Sequence, residues 1–349
     1  MRKGRPPFLM SSGPLSMPAP TFDILGLGNA IVDVIAPSDD DFLVRHGLQK
    51  GAMQLIDEAA AERLYAAMGQ TTVVSGGSAA NTIIGAAQFG CRTAFIGKVK
   101  ADALGDLFAH DIRAARVAFD STPARDGAAS ARCLVLVTPD GQRTMNTFLG
   151  ACQTLGPADV APDLVAQAQI IYLEGYLWDP PQAKQAFLKA SDIARAAERR
   201  VALSLSDAFC VDRYRDEFIE LIRTGKIDIL FANESELHSL YETADFATAL
   251  GLLRDENILA VVTRSDKGSL VVSRDETHAV NAFPIEKLVD TTGAGDLFAA
   301  GFLTGLVRDM PLPECARLGA LAAAEIIQHY GARPQADLKA LAAQSGFEL

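Results

Sequence analysis

The chain has 349 residues, 49% of them apolar, so one large α/β unit with an appendage has ample material for a core. Its formal charge of −11 argues against a nucleic-acid groove, and no apolar run is long and charge-free enough to span a bilayer. Five cysteines, odd in number and without CxxC spacing, fit reduced thiols of a cytoplasmic protein rather than a disulfide framework or a zinc site.

Residues 1–20 are rich in Pro, Ser and Gly and read as a disordered extension; their apolar centre is too short for a signal peptide, and Met17 offers a second start. From Phe22 a short apolar run closed by Gly26 and Gly28 predicts a buried strand reaching a tight turn. Helices are predicted over 57–68 and 78–89, the second opening directly after Gly76-Gly77, and a strand over 93–99. Residues 132–138 and 142–149, joined by Pro139-Asp-Gly141, read as a hairpin that interrupts the alternation. Thereafter strands (170–173, 201–205, 227–231, 259–262, 269–272) alternate with helices (181–199, 214–224, 234–241, 246–255), and helices over 294–308 and 313–330 end the chain. Such alternation favours a mostly parallel sheet covered on both faces.

The strongest local signal is Asp290-Thr-Thr-Gly-Ala-Gly-Asp296 followed by the apolar run 297–303. Small residues let backbone approach a ligand, and the first amides of the helix that follows have no intrahelical partners, which makes an anion hole suited to phosphate. Asp296 in that first turn is placed to take a proton from a substrate hydroxyl. An acid there also simply favours a helix start, so the turn alone reads equally as structure or chemistry. No Gly-x-x-x-x-Gly-Lys-Ser/Thr loop is present, and Gly26-Leu-Gly28 lacks the third glycine of a dinucleotide fingerprint.

This run, with four others in order, resembles the signature of the ribokinase/PfkB family of carbohydrate and nucleoside kinases. They are Gly28-Asn29-Ala-Ile-Val-Asp33, Gly76-Gly77-Ser-Ala-Ala-Asn81, Asn233-Glu-Ser-Glu236 and Val261-Val-Thr263-Arg-Ser-Asp-Lys-Gly268. Read singly, each has an ordinary structural reading: Asp33 as a turn cap, Ser78 as N-cap of a helix, Asn233 and Glu236 as a capping box. The resemblance implies a three-layer α/β/α ribokinase-like domain over 21–349 with a small β lid from about 37–56 and 125–149. It implies Asp296 as base, and Gly293, Ala294 and Gly295 as the anion hole. Asn29, Asp33, Gly76, Gly77 and Asn81 would hold the substrate, and Asn233, Thr263, Gly268 and Gly295 the nucleotide. Glu236 would reach Mg2+ through water; ATP and Mg2+ are the implied cofactors, with a monovalent cation such as K+ left open.

Three features are similar to the adenosine-kinase branch: the hairpin 142–149, Tyr172-Leu-Glu-Gly-Tyr176, and Leu203-Ser-Leu-Ser-Asp-Ala-Phe209. On that match Arg143 stabilises charge, Met145, Thr147 and Leu149 wall the pocket, and Tyr176 faces a nucleobase. Read alone, Tyr176 is equally a core aromatic at a strand end. The expected partners are ATP and a nucleoside, adenosine first, with a ribose- or fructose-type sugar as the alternative and a catalytically silent sensor a further one. Nucleic acid and membrane are not expected, and a monomer is favoured over a lid-paired dimer.

Overall fold

The computed structural model describes residues 19–349, so the extension expected over 1–20 lies, but for Ala19 and Pro20, outside the described residues. In chain order the first strands are β1 (Phe22–Leu27), β2 (Ile31–Pro37), β3 (Met53–Leu55), β4 (Thr72–Gly76), β5 (Thr93–Ile96), β6 (Val117–Ala118) and β7 (Ala131–Val137). They are followed by β8 (Arg143–Phe148), β9 (Ala168–Glu174), β10 (Arg200–Ser204), β11 (Ile229–Asn233), β12 (Leu259–Thr263), β13 (Ser269–Val272) and β14 (Thr277–Val280).

Nine strands form one sheet in the order β14-β13-β12-β11-β10-β9-β1-β5-β6, parallel from β12 to β6 and closed by the antiparallel β13 and β14. The central strands are apolar on both sides because each side carries a core. Ile24, Phe95, Tyr172 and Phe231 pack on one face with the helices Ser78–Gln88, Ala294–Val307 and Leu312–Ile326. Leu25, Leu27, Ile171 and Leu203 pack on the other with Phe187 and Phe218 of the helices Pro181–Ala196 and Ala208–Arg223. The last of these begins six residues before the predicted 214 (214 − 208), because Asp207 caps it by accepting from the Cys210 amide at 2.6 Å and the chain passes a kink at Tyr214. Among the described residues no helix is long and apolar enough to cross a membrane.

Five strands form a second sheet, β3-β8-β7-β2-β4. Beyond the hairpin β7–β8 and β3, it takes in β2 and β4, which lie outside 37–56 and 125–149 except at Pro37. Their pairing is long-range, Asp33 with Cys133 and with Val74, and no local pattern encodes it. The period of two then divides the sheet's faces. Val34, Leu134, Leu136 and Phe148 pack under Leu43, Ala61 and Leu64 of two short helices. Ile31, Asp33, Cys133, Met145 and Thr147 look the other way, into a cavity above the large sheet.

Candidate active site

The cavity, of about 1030 Å³, lies at the carboxyl ends of the parallel strands, where open α/β sheets bind ligands. Asn29, Glu174, Ser204, Asn233 and Thr263 reach it from just past or at the ends of β1, β9, β10, β11 and β12.

Asp296 lies at the cavity floor in the first turn of Ala294–Val307. Gly293 opens that helix in the left-handed conformation (φ 77°, ψ 0°), where a side chain would also meet Ala332 Cβ at 2.8 Å. A Cβ at Gly295 would meet nothing within 4 Å, so a ligand can approach the backbone there. Ala294 is a weaker anion donor than its position predicts, because its N–H already donates to the Thr291 carbonyl at 3.2 Å. The Asp296 carboxylate accepts from Ser78 Oγ on Oδ1 at 2.6 Å and from Asn81 Nδ2 on Oδ2 at 2.9 Å. Burial raises its proton affinity above the ordinary aspartate value, opposed by these two hydrogen bonds and by the Arg333 guanidinium.

Across the cavity, burial pushes the Asp33 carboxyl up to about 6 against the pull of Arg143 and Arg333. Its oxygens press on Gly76, where a Cβ would sit 2.4 Å from Oδ2. Gly77 has φ 95°, and a Cβ there would fall 2.3 Å from the Asn29 carbonyl oxygen. The glycine pair therefore lets Asp33, Asn29 and the helix start at Ser78 converge. Asn29 is fixed by Glu174, whose Oε1 accepts from its backbone N at 2.8 Å and its Nδ2 at 2.7 Å, while Oε2 accepts from the Ala79 amide at 2.8 Å. With Nδ2 so held, Asn29 Oδ1 is buried and makes no hydrogen bond. Such an acceptor suits a ligand hydroxyl or amine.

Tyr176, Met145, Thr147 and Leu149 line the cavity, giving it an apolar part beside the polar floor. Arg143 does not line it. Its buried guanidinium pairs with Asp290 at 3.4 Å, while Nε and Nη1 make no hydrogen bond. Asp290 also accepts from the Thr292 and Gly331 amides at 3.0 Å each, so Arg143 ties the second sheet to the Gly-rich loop.

Asn233 and Glu236 form a capping box: Glu236 accepts from Asn233 N at 3.0 Å and Nδ2 at 2.6 Å, and Asn233 Oδ1 accepts from Glu236 N at 2.9 Å. Burial raises Glu236 to about 7. Both residues line the cavity, as does Thr263, so the capping and ligand readings of this motif coexist. Gly268 is not among the lining residues; it closes the turn from β12 to β13 through Arg264 N to the Gly268 carbonyl at 2.8 Å.

Sequence reasoning assigned no role to Glu174, Phe209 or Arg333. An acid within the apolar run of β9 was the available signal for Glu174. Phe209 lines the cavity mouth with 57% of its surface exposed, under the Arg213 guanidinium at 4.0 Å. For Arg333, in the loop before the last helix, there was none.

A model of the pfkB family of carbohydrate kinases matches residues 51–338. Among solved structures, a probable sugar kinase protein from Rhizobium etli is 49% identical, with a TM-score of 0.91 over 94% of this chain and 99% of that one. An adenosine kinase from Sinorhizobium meliloti is 52% identical, with a TM-score of 0.90 over 93% of this chain and 99% of that one. Adenosine kinase of Saccharomyces cerevisiae is 26% identical over 334 residues, 89% of this chain and 96% of that one.

Proposed function

Since this chain belongs to the pfkB family of carbohydrate kinases, we propose that it transfers the γ-phosphoryl group of ATP to the primary hydroxyl of a nucleoside, adenosine first among them, giving AMP and ADP. The observation that carries the chemistry is the Asp296 carboxylate at a helix N-terminus on the cavity floor, both oxygens held by neutral donors. A carboxylate so fixed accepts the hydroxyl proton as the oxygen attacks phosphorus, while the bond from the γ-phosphorus to the bridging oxygen of ADP breaks. A general base of this kind contributes roughly 10²–10⁴-fold. The Gly293 and Gly295 amides and the helix dipole face the charge on the transferring group. The second sheet acts as a lid, and Arg143, paired with Asp290, ties that lid to the Gly-rich loop rather than meeting the transferring group itself.

Asp33 and Asn29 Oδ1 would accept from the ribose hydroxyls, which fixes the reacting oxygen against Asp296. Tyr176, Phe209 and Leu149 offer the base an apolar enclosure that a free sugar would leave unfilled. Magnesium, when bound on the ATP phosphates, supplies charge neutralisation. Glu236 suits it only through water, since both carboxylate oxygens are committed to Asn233. Among the described residues no group of three or more acidic, His or Cys side chains is gathered to hold a metal directly.

The likeness to the Rhizobium etli probable sugar kinase favours a second reading, a sugar as acceptor. ADP release measured over adenosine, other nucleosides, ribose and fructose separates the two: turnover is expected with adenosine, and turnover confined to a sugar sinks the nucleoside reading. The Asp33 carboxyl, held up at about 6, must be ionised to accept two hydroxyls. Adenosine affinity at pH 5 is therefore expected to be about tenfold weaker than at pH 7.5, protonation of one carboxyl a full unit below its midpoint costing that factor. Titration calorimetry at the two pH values reads this directly, and equal affinities would remove Asp33 from that role.

A further inference from the structure

We propose that Arg333 is a positioning residue for phosphoryl transfer, setting the orientation and charge state of Asp296 through Asn81. The inference rests on the reading of Asp296 as base, and it concerns a residue outside every motif considered above. Arg333 Nη1 donates to Asn81 Oδ1, and its Nη2 donates to Ser75 Oγ at 3.1 Å at the end of β4. Asn81 in turn donates from Nδ2 to Asp296 Oδ2 at 2.9 Å.

The polarity of this chain has one solution. A guanidinium has only donors, so Asn81 must turn its oxygen toward Arg333 and its amino group toward Asp296. With Ser78 Oγ donating to Oδ1, both Asp296 oxygens then face side-chain donors, an arrangement matched to the ionised carboxylate. Flipping Asn81 would set its amino group against the guanidinium and its oxygen against the carboxylate. Arg333 thus forbids the one side-chain rotation that would leave the base without its partner.

The charges around Asp296 give Arg333 further weight. Asp33 from β2, Glu174 at the end of β9 and Glu236 of the capping box are acids that couple to it, and the Tyr172 and Tyr176 hydroxyls lie near enough to sense it. Arg333 is the cation opposing this set at Asp296, and it is itself costly to bury, its own proton affinity being drawn down to about 10. Purely structural anchoring of the C-terminal loop would not require a half-buried cation facing two site carboxylates.

The test compares Arg333→Met, Arg333→Lys and Asp296→Asn by steady-state kinetics with adenosine and ATP, with folding checked by circular dichroism. In Arg333→Met, kcat is expected to fall about tenfold or more with little change in KM, as the base loses its fixed geometry. The acid limb of the kcat profile moves to higher pH, because loss of the cation favours protonated Asp296. Combined with Asn81→Ala, the two losses should be less than additive if Arg333 acts through Asn81. An unmoved acid limb with additive losses overturns the proposal. Arg333→Lys carries the test if the Met variant does not fold. One ammonium does not reproduce the two-nitrogen fork, so kcat falls while the limb stays in place, and wild-type kcat overturns the proposal. An Asp296→Asn variant with wild-type turnover would overturn the base reading itself; an inactive one beside an unaffected Arg333→Met overturns only the role of Arg333.

Discussion

Asp296→Asn is expected to lower kcat by roughly 10²–10⁴-fold, the range a positioned general base supplies. Asparagine matches the carboxylate in shape, so the helix start and the cavity floor persist and adenosine should still bind. What is lost is the acceptor of the hydroxyl proton. Quenched-flow or coupled assays of ADP release, with adenosine binding followed by calorimetry, separate the two quantities, and an undiminished kcat would show that another group takes the proton. Stability should respond in the opposite sense. Burial holds the Asp296 proton affinity above its unfolded value, so the group favours the fold at low pH and that contribution is lost as pH rises through its folded pKa. At pH 8 the charge is carried at a cost, and the neutral variant is expected to melt no lower than wild type. Sites built for chemistry often carry such a cost.

The second large effect is expected at Gly77. Its φ of 95° with ψ of 130° is a backbone conformation that side chains rarely adopt, and an added Cβ would fall 2.3 Å from a backbone carbonyl oxygen, that of Asn29. Holding alanine there costs about 1–3 kcal/mol for the backbone alone. The clash partner is backbone, with no flexible side-chain end to yield, so relief must come from moving the β1 turn or the start of Ser78–Gln88. Both moves disturb the site, because Asn29 rides on the first and Ser78 and Asn81 ride on the second. Gly77→Ala should therefore lose stability by urea denaturation and about 10²-fold in kcat/KM, the scale of a misplacement near 1 Å. Gly69→Ala, where a Cβ meets nothing within 4 Å and φ is not positive, is the matched control. If the two variants were equally stable and active, the convergence at Gly77 would not matter.

The motif residues found in the sequence converge for a reason that periodicity explains in part. Strand ends and helix starts are where glycines and caps must lie, so Gly28, Gly77, Asn233 and Gly293 announce chain positions as well as chemistry. The parallel sheet was legible because strands covered on both faces must be apolar along most of their length, as 170–173 and 201–203 are, with Ser204 entering only where the strand end meets the cavity. The helix Ala103–Ala114, by contrast, went unpredicted although Asp102 caps it through the Gly105 amide at 2.8 Å. Its apolar stripe of Leu104, Leu107, Phe108 and Ile112 has helical spacing and packs on the core, so this helix was legible from pattern and cap together. The left-handed Gly293 was foreseeable from composition, whereas the engagement of Ala294 by Thr291 was not.

By itself the sequence determined the alternating α/β order, the hairpin around Pro139-Asp-Gly141, the helix that carries Asp296 in its first turn, and the family signature that links residues 28 to 296. Each is a local property, set by side-chain period, turn chemistry or the backbone freedom of glycine. The tertiary structure alone decided that β2 and β4 join the hairpin in one sheet, that Glu174 holds Asn29, and that Arg333, 252 positions from Asn81, reaches its side-chain oxygen. These depend on which distant elements pack together, and a hydrogen bond across such a separation leaves no periodic trace in the chain. The proposed base, Asp296, stands out in the sequence only when its turn is set with the other motifs of the family signature, and the partners that fix its charge and direction exist only once the fold has closed.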